Sequence, residues 1–117
     1  MTAVTHQHRL LAKWLSGADG TVLDELRAAH TDDFTLVTMT GEVLDRDTLF
    51  SVLEGAAGAQ EGLSIEIGDV TVVTRMGDAV LVRFLETHLV RGQATARRST
   101  ALLWGGRWAY VHETAVR

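Results

Sequence analysis

The chain has 117 residues, 46% of them hydrophobic and 22% charged, with a formal net charge of −4 and no cysteine. That makes one domain, 1–117, able to bury ~65% of the surface its unfolded form exposes, and it excludes disulfides, thiolate nucleophiles and cysteine-ligated metals. No basic block offers a footprint for nucleic acid, and no apolar run approaches the roughly 20 residues that cross a bilayer.

The opening segment, MTAVTHQHRLLAKWL, lacks the basic start and continuous apolar core of a signal peptide, so a cytoplasmic location is expected. Leu10, Leu11, Trp14 and Leu15 recur at three- and four-residue spacing and predict a first helix with one apolar stripe. The Gly17–Gly20 segment breaks it, and Val22, Leu23, Leu26 and Ala29 mark a short second helix. His30 to Asp33 ends that helix, and Phe34 to Met39 reads as a strand turning at Thr40-Gly41. Asp45 is the expected N-cap of a third helix, with Leu49, Phe50, Val52 and Leu53 on its buried face and glycines at 55, 58 and 62 ending it.

From Leu63 the period changes to two. Leu63 to Ile67 alternates as a strand, Gly68-Asp69 predicts a bulge, and Val70 to Thr74 continues beyond it. Gly77-Asp78, Gly92-Gln93 and Gly105-Gly106 predict turns between long strands. Three helices followed by a four-strand antiparallel meander, with one earlier short strand, mean an α+β fold.

Two-residue turns at Gly92-Gln93 and Gly105-Gly106 would stack Thr87, Arg98 and Glu113 in one rung of the sheet. Leu85, Thr100 and Val111 would follow, then Arg83, Leu102 and Ala109. This face, apolar but carrying arginines, threonines and a glutamate, is the expected pocket wall. The opposite face would carry Val82, Leu103 and Trp108, then Phe84, Ala101 and Tyr110, then Glu86, Ser99 and His112. Helices cover only one side of such a sheet, so this second apolar face predicts a homodimer packed sheet to sheet.

Three segments resemble the nuclear-transport-factor-2-like superfamily, which includes ketosteroid isomerases and SnoaL-like cyclases. Trp14 precedes Asp32-Asp33-Phe34 by eighteen residues, like the family's aromatic and acidic helix exit. Gly41 to Leu53 looks like its turn and third helix, and Arg98 to Thr114 looks like its terminal hairpin. The chain is most similar to members gathered as domain of unknown function 4440. The resemblance implies a cone-shaped fold, N-terminal helices on a curved, mainly antiparallel sheet, spanning 1–117. It also implies that the steroid-isomerase site is missing: the pocket tyrosine falls at Trp14 and the two aspartates at Thr38 and Thr100. Neither threonine titrates near neutral pH, so that reaction is not expected.

Arg98 with Glu113 is the sharpest pair. Arg83 and Arg98 would hold a substrate carboxylate or enolate with Glu113 as base, or Arg98 and Glu113 form a structural cross-strand ion pair. His112 titrates in the useful range but points away from the expected pocket. His6 and His8, two apart, share no helix face and read as a frayed terminus. Asp32 and Asp33 read as part of the helix-to-strand turn, not as a carboxylate pair at a site. No zincin motif and no glycine-rich phosphate loop is present, so neither a metal nor a cofactor is expected.

The expected ligand-binding residues are therefore Trp14, Arg83, Thr87, Arg98, Thr100 and Glu113. The reading is a homodimer binding a small organic ligand, such as an acidic aromatic or polyketide-like compound. The alternatives are a cofactor-independent isomerase, cyclase or hydrolase, and a non-catalytic association module.

Overall fold

Residues 2–17 and 20–116 are described by the computed structural model. In chain order they form α1 (Thr2–Gly17), α2 (Gly20–Ala28), β1 (His30–Val37), β2 (Val43–Asp45), α3 (Arg46–Gly55), β3 (Ser64–Met76), β4 (Ala79–Val90), β5 (Gln93–Trp104) and β6 (Arg107–Val116). Ala18 and Asp19, in the expected break between the first two helices, lie outside the described residues.

Helix α1 starts earlier than its leucines suggest. Val4, His8, Leu11 and Leu15 lie on one side of it at helical spacing, and Val4, His8 and Leu15 are buried. His8 therefore belongs to the core, and the expectation of a frayed histidine pair does not hold for it. Helix α3 begins where capping chemistry puts it: Asp45 is extended, and its carboxylate accepts the Thr48 amide at 2.8 Å.

The six strands form one sheet in the order β2-β1-β6-β5-β4-β3. Only the β1–β6 pairing is parallel. The bulge expected at Gly68-Asp69 is present, with Asp69 at a φ of 52° and the register shifting between Gly68 and Thr71. Gly105 and Gly106 take φ values of 58° and 80°, as the tight hairpin between β5 and β6 requires.

Two register details decide which side chains face the helices. The β4–β5 turn is centred on Arg91 and Gly92, both at positive φ, and not on Gly92-Gln93. Leu85 therefore lies opposite Arg98, and Thr87 opposite Ala96. This two-place shift leaves every side chain on its original face. The second detail is an irregularity in β6: Leu103 pairs with Trp108, but Leu102 pairs with Tyr110. One extra residue, Ala109, reverses the facing of everything after it. Glu113 thus pairs with Ser99 and shares its face, while Arg98 pairs with Thr114 on the other.

The helices cover the face of Val82, Phe84, Ala101, Leu103 and Trp108, which pack with Val4 and Phe34 in one core cluster. A second cluster joins Leu10, Trp14, Leu15, Val22, Leu23, Leu26, Phe50 and Leu63 among the helices. The face expected to meet a second subunit is therefore the covered one. The opposite, outer face carries the rungs Leu85–Arg98–Thr114, Arg83–Thr100–His112 and Leu81–Leu102–Tyr110.

Hydrogen bonds to backbone carbonyls tie the layers together. Trp14 Nε1 donates to the Leu53 carbonyl at 2.6 Å, and the amides of Gly58 and Gln60 reach the carbonyls of Trp14 and Leu15. At the other end Arg107 donates to the carbonyls of Ala28 and His30, and the Trp108 amide donates to Ala29. The last hairpin is thereby clamped to the α2–β1 junction, where helix-end carbonyls need donors.

Candidate functional site

Helices α1 and α3 do not fill the concave face completely. A cavity of about 350 Å³ remains between them and the sheet. Its body is apolar, walled by Leu11, Leu15, Phe34, Leu49, Trp108 and Val111 among others. Its polar lining comes from Gln7 and His8 of α1, His30 of β1, Gln60 of the α3–β3 loop, Glu86 and His88 of β4, Thr95 and Arg97 of β5, and Glu113 of β6. An apolar recess with a few convergent polar groups is the usual form of a small-molecule site.

Strand alternation explains the polar set. Val82, Phe84, Glu86 and His88 follow one another at two-residue spacing, so the apolar face of β4 ends in a carboxylate and an imidazole. Arg97 lies directly across from Glu86, and Ser99 sits between Phe84 and Glu113. The β6 bulge brings Glu113 to this wall.

Glu86, only 3% exposed, is the centre of the group. One carboxylate oxygen meets His8 Nε2 at 3.0 Å and the other meets His88 Nε2 at 2.5 Å. His8 Nδ1 faces the Val4 carbonyl at 2.8 Å, so both ring nitrogens face acceptors and both must carry protons. Burial alone would lower the His8 pKa, yet the Glu86 carboxylate and the Val4 carbonyl together raise it above 6.5. Burial likewise opposes the charge on Glu86, but the hydrogen bonds and charges of the two histidines hold its carboxyl far below the ordinary range. The result is a buried imidazolium–carboxylate pair, with the His8 ring edge-on to Phe84 and Trp108.

Glu113 behaves in the opposite way. Burial, and then the Glu86 charge, raise its pKa despite the neighbouring Arg97. The Arg97 Nη1 to Glu113 Oε2 separation is 3.5 Å, longer than a good charge-assisted hydrogen bond. Arg97 Nε, Gln7 Oε1 and Ser99 Oγ are buried with no hydrogen-bond partner among the described residues. His30 is kept neutral: burial and the cations Arg46, Arg107 and His8 push it down to about 4, against the Leu26 carbonyl that accepts from its Nδ1.

Of the six residues expected to bind ligand, Glu113 alone lies in this lining. Arg83, Thr87, Arg98 and Thr100 are on the outer face, because the pocket lies on the opposite side of β4 and β5 from the one expected. Trp14 is buried in the helical cluster and does not reach the cavity wall. The Arg98–Glu113 pair is not formed; Arg97 takes that place. His112 is exposed opposite Thr100, away from the cavity. Asp32 and Asp33 are exposed in β1. The residues missed are His8, Glu86, His88 and Arg97. A glutamate and a histidine continuing the Val82–Phe84 alternation, and a histidine on the Val4–Leu15 stripe of α1, were the available signals. Among the described residues no group of three or more His, Cys, Asp or Glu side chains is arranged to hold a metal ion.

Helices closing one face of a curved sheet over such a recess define the nuclear-transport-factor-2-like fold. The solved structure of a nuclear-transport-factor-2-like protein of unknown function from Pseudomonas aeruginosa superposes with a TM-score of 0.93 at 29% identity, over 99% of this chain and 97% of that one. A nuclear-transport-factor-2-like protein from Cytophaga hutchinsonii gives 0.72 at 15% identity, over 98% and 96%. A candidate Ca/calmodulin-dependent kinase II association domain from Exiguobacterium sibiricum gives 0.71 at 14% identity, over 99% and 89%. The first likeness supports the nuclear-transport-factor-2-like superfamily, and the other two show the fold. No family model and no curated protein matches it. Among the described residues no helix is long and apolar enough to cross a membrane.

The buried pair makes two predictions. Glu86→Gln leaves the His8 imidazolium without its counter-charge and should cost about 3 kcal/mol of stability by urea denaturation; a change within error would contradict the pairing. The pH dependence has two limbs. His8, whose pKa is raised, contributes stability that is lost as pH rises above 6.5 through its folded value. His30, whose pKa is lowered, makes the fold lose stability as pH falls from 6.5 to about 4, because the unfolded chain binds that proton first. Thermal melts of His30→Gln across that acid interval should therefore show a shallower fall than wild type.

Proposed function

We propose that residues 1–117 form a single small-molecule-binding domain whose ligand occupies the cavity between α1, α3 and the sheet. The observation that carries this reading is the cavity itself: an apolar body with polar groups gathered at the Glu86–Glu113 wall. A recess needed only for packing would be filled, because interiors close to crystal density. The resemblance of Gly41–Leu53 and of Arg98–Thr114 to SnoaL-like and domain-of-unknown-function-4440 members agrees with a pocket in this place. Binding of a neutral hydrophobic fluorophore such as Nile red tests it. Val111→Trp, which places an indole in the recess, should weaken binding by about tenfold or more; equal binding by variant and wild type would remove the cavity from the account.

A second reading, a cofactor-independent isomerase, cyclase or hydrolase in the cytoplasm, rests on Glu113. A half-buried carboxyl with a raised pKa on a pocket wall has the properties of a proton acceptor. Association as the sole function is favoured less, because an association module has no use for an unfilled recess.

The partner we propose is a second copy of the chain on the outer sheet face. Leu81, Leu85, Leu102 and Tyr110 line up there, Trp104 is 60% exposed at the edge, and the helices pack on the other side. Sedimentation equilibrium should give twice the 12.8 kDa chain mass, and Leu102→Asp should give the single mass. A wild-type monomer at micromolar concentration would overturn this.

A further inference from the structure

We propose that the ligand of this cavity is an amphipathic carboxylic acid, its carboxylate seated on Arg97, and that Glu113 takes up a proton as the ligand enters. The inference rests on the binding reading above and names the chemistry of that site.

Among the described residues Arg97 is the one cation of the wall not already committed to a close partner. The His8 charge is matched by Glu86, whose two oxygens are both occupied, by His8 and by His88. Among the described residues Arg97 has only the 3.5 Å contact with Glu113, and its Nε is buried without a partner. A guanidinium presents its donors as a planar fork that matches a carboxylate bidentately. One loose contact leaves most of that fork unused, facing a recess. A neutral ligand could offer a single acceptor oxygen but neither the matching pair nor the counter-charge. A cationic ligand would have to compete with Arg97 for Glu113, since Glu86 has no oxygen to spare. The apolar walls formed by Leu11, Leu15, Leu49 and Val111 call for a hydrocarbon or aromatic body.

The proton follows from charge balance. Glu113 is faced by Arg97 from β5, by Glu86 and His88 from β4, and by His8 from α1 beyond Glu86. With the ligand bound and Glu113 ionised, three carboxylates would crowd this wall, and Arg97 would have to serve two of them. A surplus buried charge is costly, and the group most easily neutralised is the carboxyl already displaced toward its acid form. Protonated Glu113 then donates its O–H to the incoming carboxylate, while Arg97 donates to the same group. Solvent supplies the proton: an O–H bond forms on Glu113 as the bond to that proton breaks in hydronium or a buffer acid, and no bond between heavy atoms changes.

The test is calorimetric titration with 1-naphthoate and decanoate, and with their neutral counterparts 1-naphthylmethanol and decanol. Each is run in two buffers of different ionisation enthalpy. At least one acid should bind about tenfold or more tightly than its alcohol. Its affinity should fall toward tenfold per pH unit above the Glu113 pKa, with net uptake of up to one proton. Glu113→Gln, neutral at every pH, should bind the acid with a flat pH profile and no uptake, and Arg97→Gln should lose the preference for acid over alcohol. Acid and alcohol binding alike, with Arg97→Gln no different, would overturn the carboxylate assignment and leave the cavity reading standing. If none of the four compounds bound, both would fall. Proton uptake that survived in Glu113→Gln would overturn the role given to Glu113. If Arg97→Gln failed to fold, the acid–alcohol comparison and Glu113→Gln would still decide.

Discussion

The concave side of this protein depends on one ion pair. Glu86 sits at the end of an otherwise apolar strand face, beneath helix α1, where a lone carboxylate would be intolerable. His8 supplies its counter-charge from the helix, and His88 supplies a second donor from the same strand. The pair joins a helix to the sheet at a fixed point and consumes the histidine and glutamate charges there. Such pairs add little net stability over well-packed apolar residues, so their value lies in what they specify. Here they specify the height of α1 above β4, and with it the recess below.

A second constraint acts through β6. Without the extra residue at Ala109, Glu113 would lie on the outer face and the cavity would lose the partner of Arg97. With it, a strand that packs Trp108 into the core continues by presenting Val111 and Glu113 to the cavity. The bulge lies where the hairpin is clamped to the α2–β1 junction by Arg107 and Trp108. Tertiary contacts thus hold the early part of the strand, and the change of facing comes just after it.

The architecture was legible because it is written in local signals: helical spacing around Trp14, the Asp45 cap, the Gly68-Asp69 bulge and the glycine turns. The site was not legible, for two physical reasons. Both faces of β4 and β5 carry apolar residues, so alternation alone could not say which face the helices cover. Choosing by polarity favoured Arg83, Arg98 and Thr100, whereas the covered face holds its polar groups at one end only, as Glu86, His88 and Arg97. The Ala109 bulge has no glycine to announce it, unlike Gly68, and it moved Glu113 from the company of Arg98 to that of Arg97. Trp14 was placed on the correct helix, but it spends its indole N–H on Leu53 and seals two helices together.

The most direct measurement of the central claim is the protonation of the His8 ring, read from its nitrogen-15 shifts in long-range proton–nitrogen spectra of labelled protein. The His8 ring should be mostly imidazolium, both nitrogens protonated, at pH 6.5, where an ordinary histidine has lost half its charge. A mostly neutral His8 ring at that pH, with one unprotonated nitrogen toward Glu86, would contradict the pairing.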